Sequence, residues 1–213
     1  QHTPATSGQP QKQALPIPVK LALFDGDGRM MALHLDGQTA KPQTECVVVL
    51  EANEQTFIFR DVPTAPVPSL LRGFSAPVIL EYDYDAAELA LLLRHDPDGF
   101  SRWEASQQLA TLAYVELRDG GASQALKAWL DALSALFAHN DIEPALLANL
   151  LTPPGEVEWA EREASVDPAR IHALRQQLQR HLAERIGAEA LHQRYLVLAA
   201  EASLSLDAAS QAR

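Results

Sequence analysis

The sequence predicts a multidomain α and β protein. Residues 1–84 form an immunoglobulin-like β-sandwich, and residues 85–213 an antiparallel, solenoid-like helical array. Three observations predict it. Before Asp85 the apolar residues come in short alternating runs broken by glycine and proline, the spacing of short strands and turns. From Asp85 onward they recur at the helical period. Between the two regimes lies QTFIFRDVPTAPVPSLLRGFSAPVILEYDY, residues 55–84, which carries Pro63, Pro66, Pro68 and Pro77 and serves as a connector.

Residues 1–14 are polar, with Pro4, Gly8 and Pro10, and read as extended. Residues 17–24 (IPVKLALF) alternate, as a strand with one buried face does. Asp25-Gly26-Asp27-Gly28 is a hairpin turn, because Asp-Gly supplies the positive φ that such turns require. Residues 29–35 return as the partner strand, and Asp36-Gly37 turns again. Residues 45–50, almost continuously apolar, are expected to form a central strand. Within the connector, residues 56–60 and 78–84 are expected to be strands. The middle is excluded from a central strand or a helix interior, since proline lacks an amide donor. Leu70, Leu71 and Phe74 would pin it to a core.

Asp85-Ala86-Ala87-Glu88 is a capping-box start for the first helix, whose stripe is Leu89, Leu92 and Leu93. Asp96-Pro97-Asp98-Gly99 breaks it, and Ser101 to Glu104 reads as a second capping box. Asp119-Gly120-Gly121 ends the second helix. Leu126, Trp129, Leu130, Leu133, Leu136 and Phe137 mark a third, and Asp141 is read as the cap of a fourth with Pro144 in its first turn. Pro153-Pro154-Gly155 leads into a short helix over 156–163. Asp167-Pro168 opens a long one, Gly187 breaks it, and residues 188–202 form the last. Short connections between helices predict antiparallel neighbours, and no fixed repeat is visible in the sequence itself. Asp207 reads as the cap of a further helix, and with the start at Gln1 this predicts a piece cut from a longer protein. Leu196, Leu198 and Leu204 would then lie exposed on an uncovered face.

The composition narrows the function classes. A net charge of −11 argues against a nucleic-acid partner, which needs clustered Lys and Arg. No apolar run reaches the roughly 20 residues of a membrane span. With Cys46 alone, no intrachain disulfide forms, which fits a reducing compartment; Cys46 reads as a small core residue.

No pattern of chemistry emerges. The histidines (His2, His34, His95, His139, His172, His181 and His192) include no H-E-x-x-H pair. His181 and Glu184 read as a helix-surface contact. Asp25, Asp27 and Asp36 begin like a calcium loop, but Arg29 takes the fifth position and the twelfth lacks a bidentate Glu. Ser75 lacks the second glycine of a nucleophile elbow, and Gly26 and Gly28 do not extend to a phosphate loop. Trp103 and Trp129 read as core, Trp159 in its charged stretch as partly exposed. Tyr82 and Tyr84 read as neighbours on one strand face at the junction. No catalytic, cofactor-binding or metal residue is therefore assigned.

The run PVPSLLRGFSAPV, then L-x-Y-x-Y, an apolar helix and FSRWEASQQLAT, resembles the bacterial aminopeptidase N family, at the junction of its third, sandwich domain with its fourth, helical one. IEPALLANLLTPP and VDPARIHALRQQLQRHLAERI extend the likeness. The resemblance implies a zinc-dependent, cytoplasmic parent that removes N-terminal residues from peptides. Its zinc and substrate motifs lie in an earlier domain and match nothing here. This chain would bind no zinc itself, would touch the upstream catalytic domain and downstream helices, and would link catalysis to the helices enclosing the active-site cavity. The other reading is a stand-alone scaffolding or peptide-binding module that uses a concave helical face.

Overall fold

The computed structural model describes residues 1–37, 41–121, 123–139 and 141–211, with side chains through 199. The first half is built around β1 (Ile17–Phe24). After the Asp25–Gly28 turn come β2 (His34–Leu35), β3 (Glu45–Leu50), β4 (Phe59–Arg60) and β5 (Val67–Leu70). A three-stranded antiparallel sheet runs in the order β3-β1-β5, and β2 pairs with β4 in a small second sheet.

Several expectations change here. The central strand is β1, and β3 is an edge: Val48 is buried while Val47 and Val49 face outward. Residues 29–35 do not return along β1. They make single bridges at Met30 and Leu33, and β2 then pairs with β4. In the connector, only Phe59–Arg60 of the first expected strand is formed, and residues 78–84 form none. The ladder passes instead through Val67–Leu70, with Pro68 opposite Leu23. Proline is tolerated there because β5 is an edge strand.

The helical half comprises α1 (Ala86–His95), α2 (Gly99–Asp119), α3 (Gln124–Ala138), α4 (Pro144–Leu150), α5 (Glu156–Ala160), α6 (Pro168–Ile186) and α7 (Ala188–Gln211). The Asp85 capping box is complete, with Asp85 accepting from Ala87 and Glu88 amides while Glu88 accepts from the Asp85 amide. The cap of α2 is Asp98 rather than Ser101, and that of α4 is Glu143 rather than Asp141, so both helices start closer to their prolines than the capping patterns suggest. Gly120, at φ 67°, closes α2. Asp207 lies inside α7.

Two hydrophobic clusters share β1. Its Leu21 and Leu23 join Met31, Leu33 and Val48 beneath the small sheets. Its Ala22 and Phe24 point the other way, into the helical core with Leu93, Leu109, Trp129 and Leu133. Alternation along one strand therefore serves two cores, and the sandwich is not cored independently of the helices. Gly28 fastens the same corner: at φ 80° it packs so closely on His95 that a Cβ there would fall 2.3 Å from the ring.

Trp159, expected near the surface, is 0% exposed. Its ring stacks on Tyr114 at 4.4 Å, and its Nε1 donates to Thr111 Oγ1 at 3.2 Å. Trp129 is buried as expected, donating to Ser106. The Tyr114 hydroxyl donates to Glu163, which also receives Arg118. Burial, with the Glu163 carboxylate, pushes the Tyr114 phenol up to about 12.

The polar centre of the molecule is Arg72 with Asp96. The Arg72 Nη1 donates to both Asp96 oxygens, at 2.7 and 2.8 Å, and Ser69 Oγ donates to Asp96 at 2.6 Å. The Asp98 amide supplies a further bond at 2.8 Å. All three side chains are buried. They join β5, the turn after it and the α1–α2 corner.

Three consequences of this packing are measurable. Asp96→Ala leaves the buried Arg72 guanidinium with only the long, half-exposed contact from its Nε to Glu45 at 3.4 Å, and should lower unfolding free energy by about 3–5 kcal/mol. Arg60→Ala, which breaks the exposed bidentate pair with Asp36, should leave denaturant midpoints nearly unchanged. A raised phenol pKa favours the neutral folded form, so stability should fall as pH climbs from about 10, the unfolded tyrosine value, through about 12. Tyr114→Phe should flatten that decline in alkaline melting curves.

Candidate interface along the connector

After β5 the chain makes one short 3-10 turn, Arg72–Phe74. Leu71, Gly73 and Phe74 all adopt positive φ, at 55°, 59° and 54°. Glycine does this freely; a leucine and a phenylalanine do not, so the backbone here stores strain of order 1–3 kcal/mol per residue. The surroundings hold it in place. Leu71 is buried, Arg72 is anchored on Asp96, and the Gly73 amide donates to Asp98 Oδ1 at 3.1 Å. On Asp98, burial is outweighed by the Ser101 and Gly73 amides and by Arg72, which hold its carboxyl below the usual range. Ser75 is a fixing residue as well, its Oγ accepting from the Lys20 amide of β1 at 3.0 Å.

The consequence is that Phe74 faces outward, 55% exposed. Its ring meets Phe100 at 5.2 Å, and Phe100 meets Trp103 at 6.0 Å. The ladder of rings forms one wall of an open groove of about 640 Å³, between residues 70–84 of the connector and the outer face of α2. Ile79 lies in it 93% exposed, with Tyr82 and Leu112 also open to solvent. Tyr84 closes the inner end, its hydroxyl donating to the Pro68 carbonyl at 2.7 Å, and burial raises its phenol pKa. Tyr82 and Tyr84 lie 4.3 Å apart, as neighbours in an extended segment rather than on a strand. Trp103, read as core from its stripe, is 36% exposed. It belongs to the face of α2 turned away from α1 and α3.

His181 and Glu184 sit 3.9 Å apart on the surface of α6, and His172 meets Glu156 at 2.7 Å, also exposed. Asp25 accepts the Asp27 and Arg29 amides as a turn former, while Asp36 pairs with Arg60. Cys46 is half-buried against the smaller core, and burial raises its thiol pKa. Among the described residues no three His, Cys, Asp or Glu side chains gather as a metal site would require. No helix among them is long and apolar enough to cross a membrane. The arrangement offers a binding surface, not a nucleophile with its base.

A second apolar hollow, of about 770 Å³, lies where α7 meets α3, α4 and α6, with Phe137, Ile186, Val197 and Leu198 on its walls. Arg194 covers part of it, 5.6 Å over the Phe137 ring. Leu196 is exposed as expected, with Tyr195 and Val197 beside it, and Leu198 is half-buried. The side chain of Leu204 lies outside those described.

Residues 86–213 match the family described as a domain of unknown function (DUF3458_C) with ARM repeats, and residues 1–83 match its companion, DUF3458, of Ig-like fold. The chain is 39% identical to Escherichia coli aminopeptidase N over 196 residues, 90% of this chain and 22% of that protein. With Haemophilus influenzae aminopeptidase N the identity is 35% over 188 residues, 86% of this chain and 21% of that one. Among solved structures, Legionella pneumophila aminopeptidase A in complex with aspartic acid aligns with a TM-score of 0.64 at 27% identity, covering 85% of this chain and 20% of that one. The chain thus spans about a fifth of the length of the curated relatives it matches.

Phe74 and Leu71 share a backbone conformation but not an environment, so substitution separates them. Phe74→Gly relieves the strain and gives up little packing, and should change stability by less than about 1 kcal/mol. Leu71→Ala keeps the strain and opens a cavity, and should be destabilising by about 2–4 kcal/mol in urea melts.

Proposed function

We propose, from the premise that this chain belongs to the DUF3458_C family of ARM-repeat domains and carries the Ig-like DUF3458 domain before it, that it is a non-catalytic part of a zinc-dependent aminopeptidase. The observation that carries this reading is the 39% identity to an aminopeptidase N across 90% of the chain. Identity at that level, over an alignment that takes in both halves, supports the same architectural role in a parent that removes N-terminal residues from peptides.

In this reading the metal, the attacking water and the general base belong to the remainder of the parent. This chain supplies shape. The sandwich, at 1–84, acts as a spacer that shares β1 with the helices, and 85–213 begins a helical array that limits access to the cavity. The open hollow beside α7 is where downstream helices of the same polypeptide continue the array. A cytoplasmic location agrees with a single, half-buried cysteine and no disulfide.

The test is an assay of the full-length parent and of residues 1–213 side by side on alanyl- and lysyl-chromogenic substrates. The parent should hydrolyse them and lose activity to a chelator, and the 213-residue chain should show none. Chelator-sensitive hydrolysis by the chain itself would sink the reading. In sedimentation, the isolated chain should associate with rising concentration through its α7 face, and Val197→Asp should reduce that association.

A further inference from the structure

We propose that Asp36-Gly37 is a site of spontaneous covalent modification, where the backbone closes to a succinimide and reopens as isoaspartate, and that Arg60 restrains it.

The chemistry needs an aspartate and a following amide that can turn back on it. The Gly37 nitrogen attacks Cγ of Asp36. A C–N bond forms, the Cγ–OH bond breaks, and the hydroxyl leaves with the amide proton as water. A second water then opens the ring. Attack at Cγ restores aspartate. Attack at the former main-chain carbonyl leaves the backbone running through the side chain, longer by one methylene. The water lost is regained, so no oxidant, reductant or other reactant is needed. Glycine favours the closure, because it has no Cβ to hinder the turn.

Five Asp-Gly pairs occur in the sequence, and the structure separates them. Asp25 is a turn former whose Oδ1 accepts the Asp27 and Arg29 amides. After Asp27, the Gly28 amide donates to the Asp25 carbonyl at 3.0 Å, and Gly28 is packed on His95. Asp98 Oδ1 accepts the Ser101 and Gly73 amides, and Gly99 already lies inside α2. After Asp119, the Gly120 amide is engaged by the Glu116 carbonyl. Asp36 and Gly37 have no such frame. Both are exposed, and Gly37 stands at φ 79° with open space where a Cβ would be. The Asp36 amide is tied to the Ile58 carbonyl at 2.8 Å, but the ring closes on the other side of the residue. There the Gly37 amide already lies against the carboxylate it would attack.

The restraint is ionic. Arg60 donates Nε and Nη2 to the two Asp36 oxygens at 2.8 and 2.9 Å. An ionised carboxylate has no good leaving group, so the reacting form is the neutral acid. Arg60, aided by the Gly37 amide, outweighs burial and holds the Asp36 carboxyl below its usual range. The pair is exposed on both sides and opens readily, so the restraint slows the reaction without abolishing it. The other titratable groups lining the same hollow, of about 280 Å³, are His34, Lys41, Cys46 and Asp61, and water for ring opening enters there. The extra methylene falls at the end of β2, where His34 and Leu35 pair with Arg60 and Phe59, so conversion should loosen the small sheet.

The experiment ages the full-length protein for weeks and maps its peptides by mass spectrometry, with labelling by an isoaspartyl-specific methyltransferase as a second readout. Isoaspartate should concentrate at Asp36, preceded by a species lighter by one water. Its formation should quicken as the pH falls from neutral toward the carboxylate range. Arg60→Ala should raise the rate several-fold, and Arg60→Lys, which keeps the charge, should restore part of the restraint. Isoaspartate at Asp25, Asp27, Asp98 or Asp119 in equal or greater yield overturns the choice of site. An unchanged rate in Arg60→Ala, with circular dichroism and denaturant midpoint matching the parent protein, overturns the role of Arg60. Aspartate left intact at position 36 in both proteins overturns the whole proposal.

Discussion

One buried ion pair organises the molecule. Arg72 leaves the end of β5 and enters a site where Asp96, at the carboxyl end of α1, is 0% exposed. Neither charge is tolerable there alone. Together, Ser69 and the Asp98 amide complete the carboxylate, and the Arg72 Nε reaches Glu45 of β3 at 3.4 Å. A pair of this kind contributes little net stability compared with apolar packing, but it leaves one acceptable geometry. It sets the register of the connector against the corner between α1 and α2.

That constraint explains features on either side of it. With Arg72 held, Leu71 and Phe74 are forced into left-handed backbone, and Phe74 turns to the surface. With β5 held, β1 becomes the middle strand, and its alternating residues are buried on both faces, Leu21 and Leu23 in one core and Ala22 and Phe24 in the other. The sheet therefore rests on the helices as one layer rests on another, and the surface groove is a by-product of the same geometry.

Much of this was legible in the residues, wherever the signal was local. The extent of β1, the Asp25–Gly28 turn, the Asp85 capping box and the stops at Gly120 and Gly187 depend on neighbours within a few positions, but β1 buries both its faces where its alternation predicts one. What was not legible depends on distant partners. Pro68 argues against a central strand but says nothing about an edge, so β5 was hidden by the strand order. Trp159 sits among charged residues, yet is buried by Tyr114, 45 positions earlier. The Arg72–Asp96 pair spans 24 positions, and an arginine in a loop with an aspartate before a proline is an ordinary surface pattern. Of the groove, the sequence showed only its separate aromatic residues; a burial pattern on α2 cannot say which apolar face the array leaves uncovered.

The central claim is that sheet and helices form a single cooperative unit joined at Arg72 and Asp96. Native-state hydrogen exchange tests it most directly, by comparing the opening free energy of the amides of Leu21 to Phe24 in β1 with that of Leu89 to Leu93 in α1. A single cooperative unit gives equal values that fall together in Asp96→Ala. Strand amides that open at distinctly lower free energy, with the helical ones unaffected by the substitution, would contradict it.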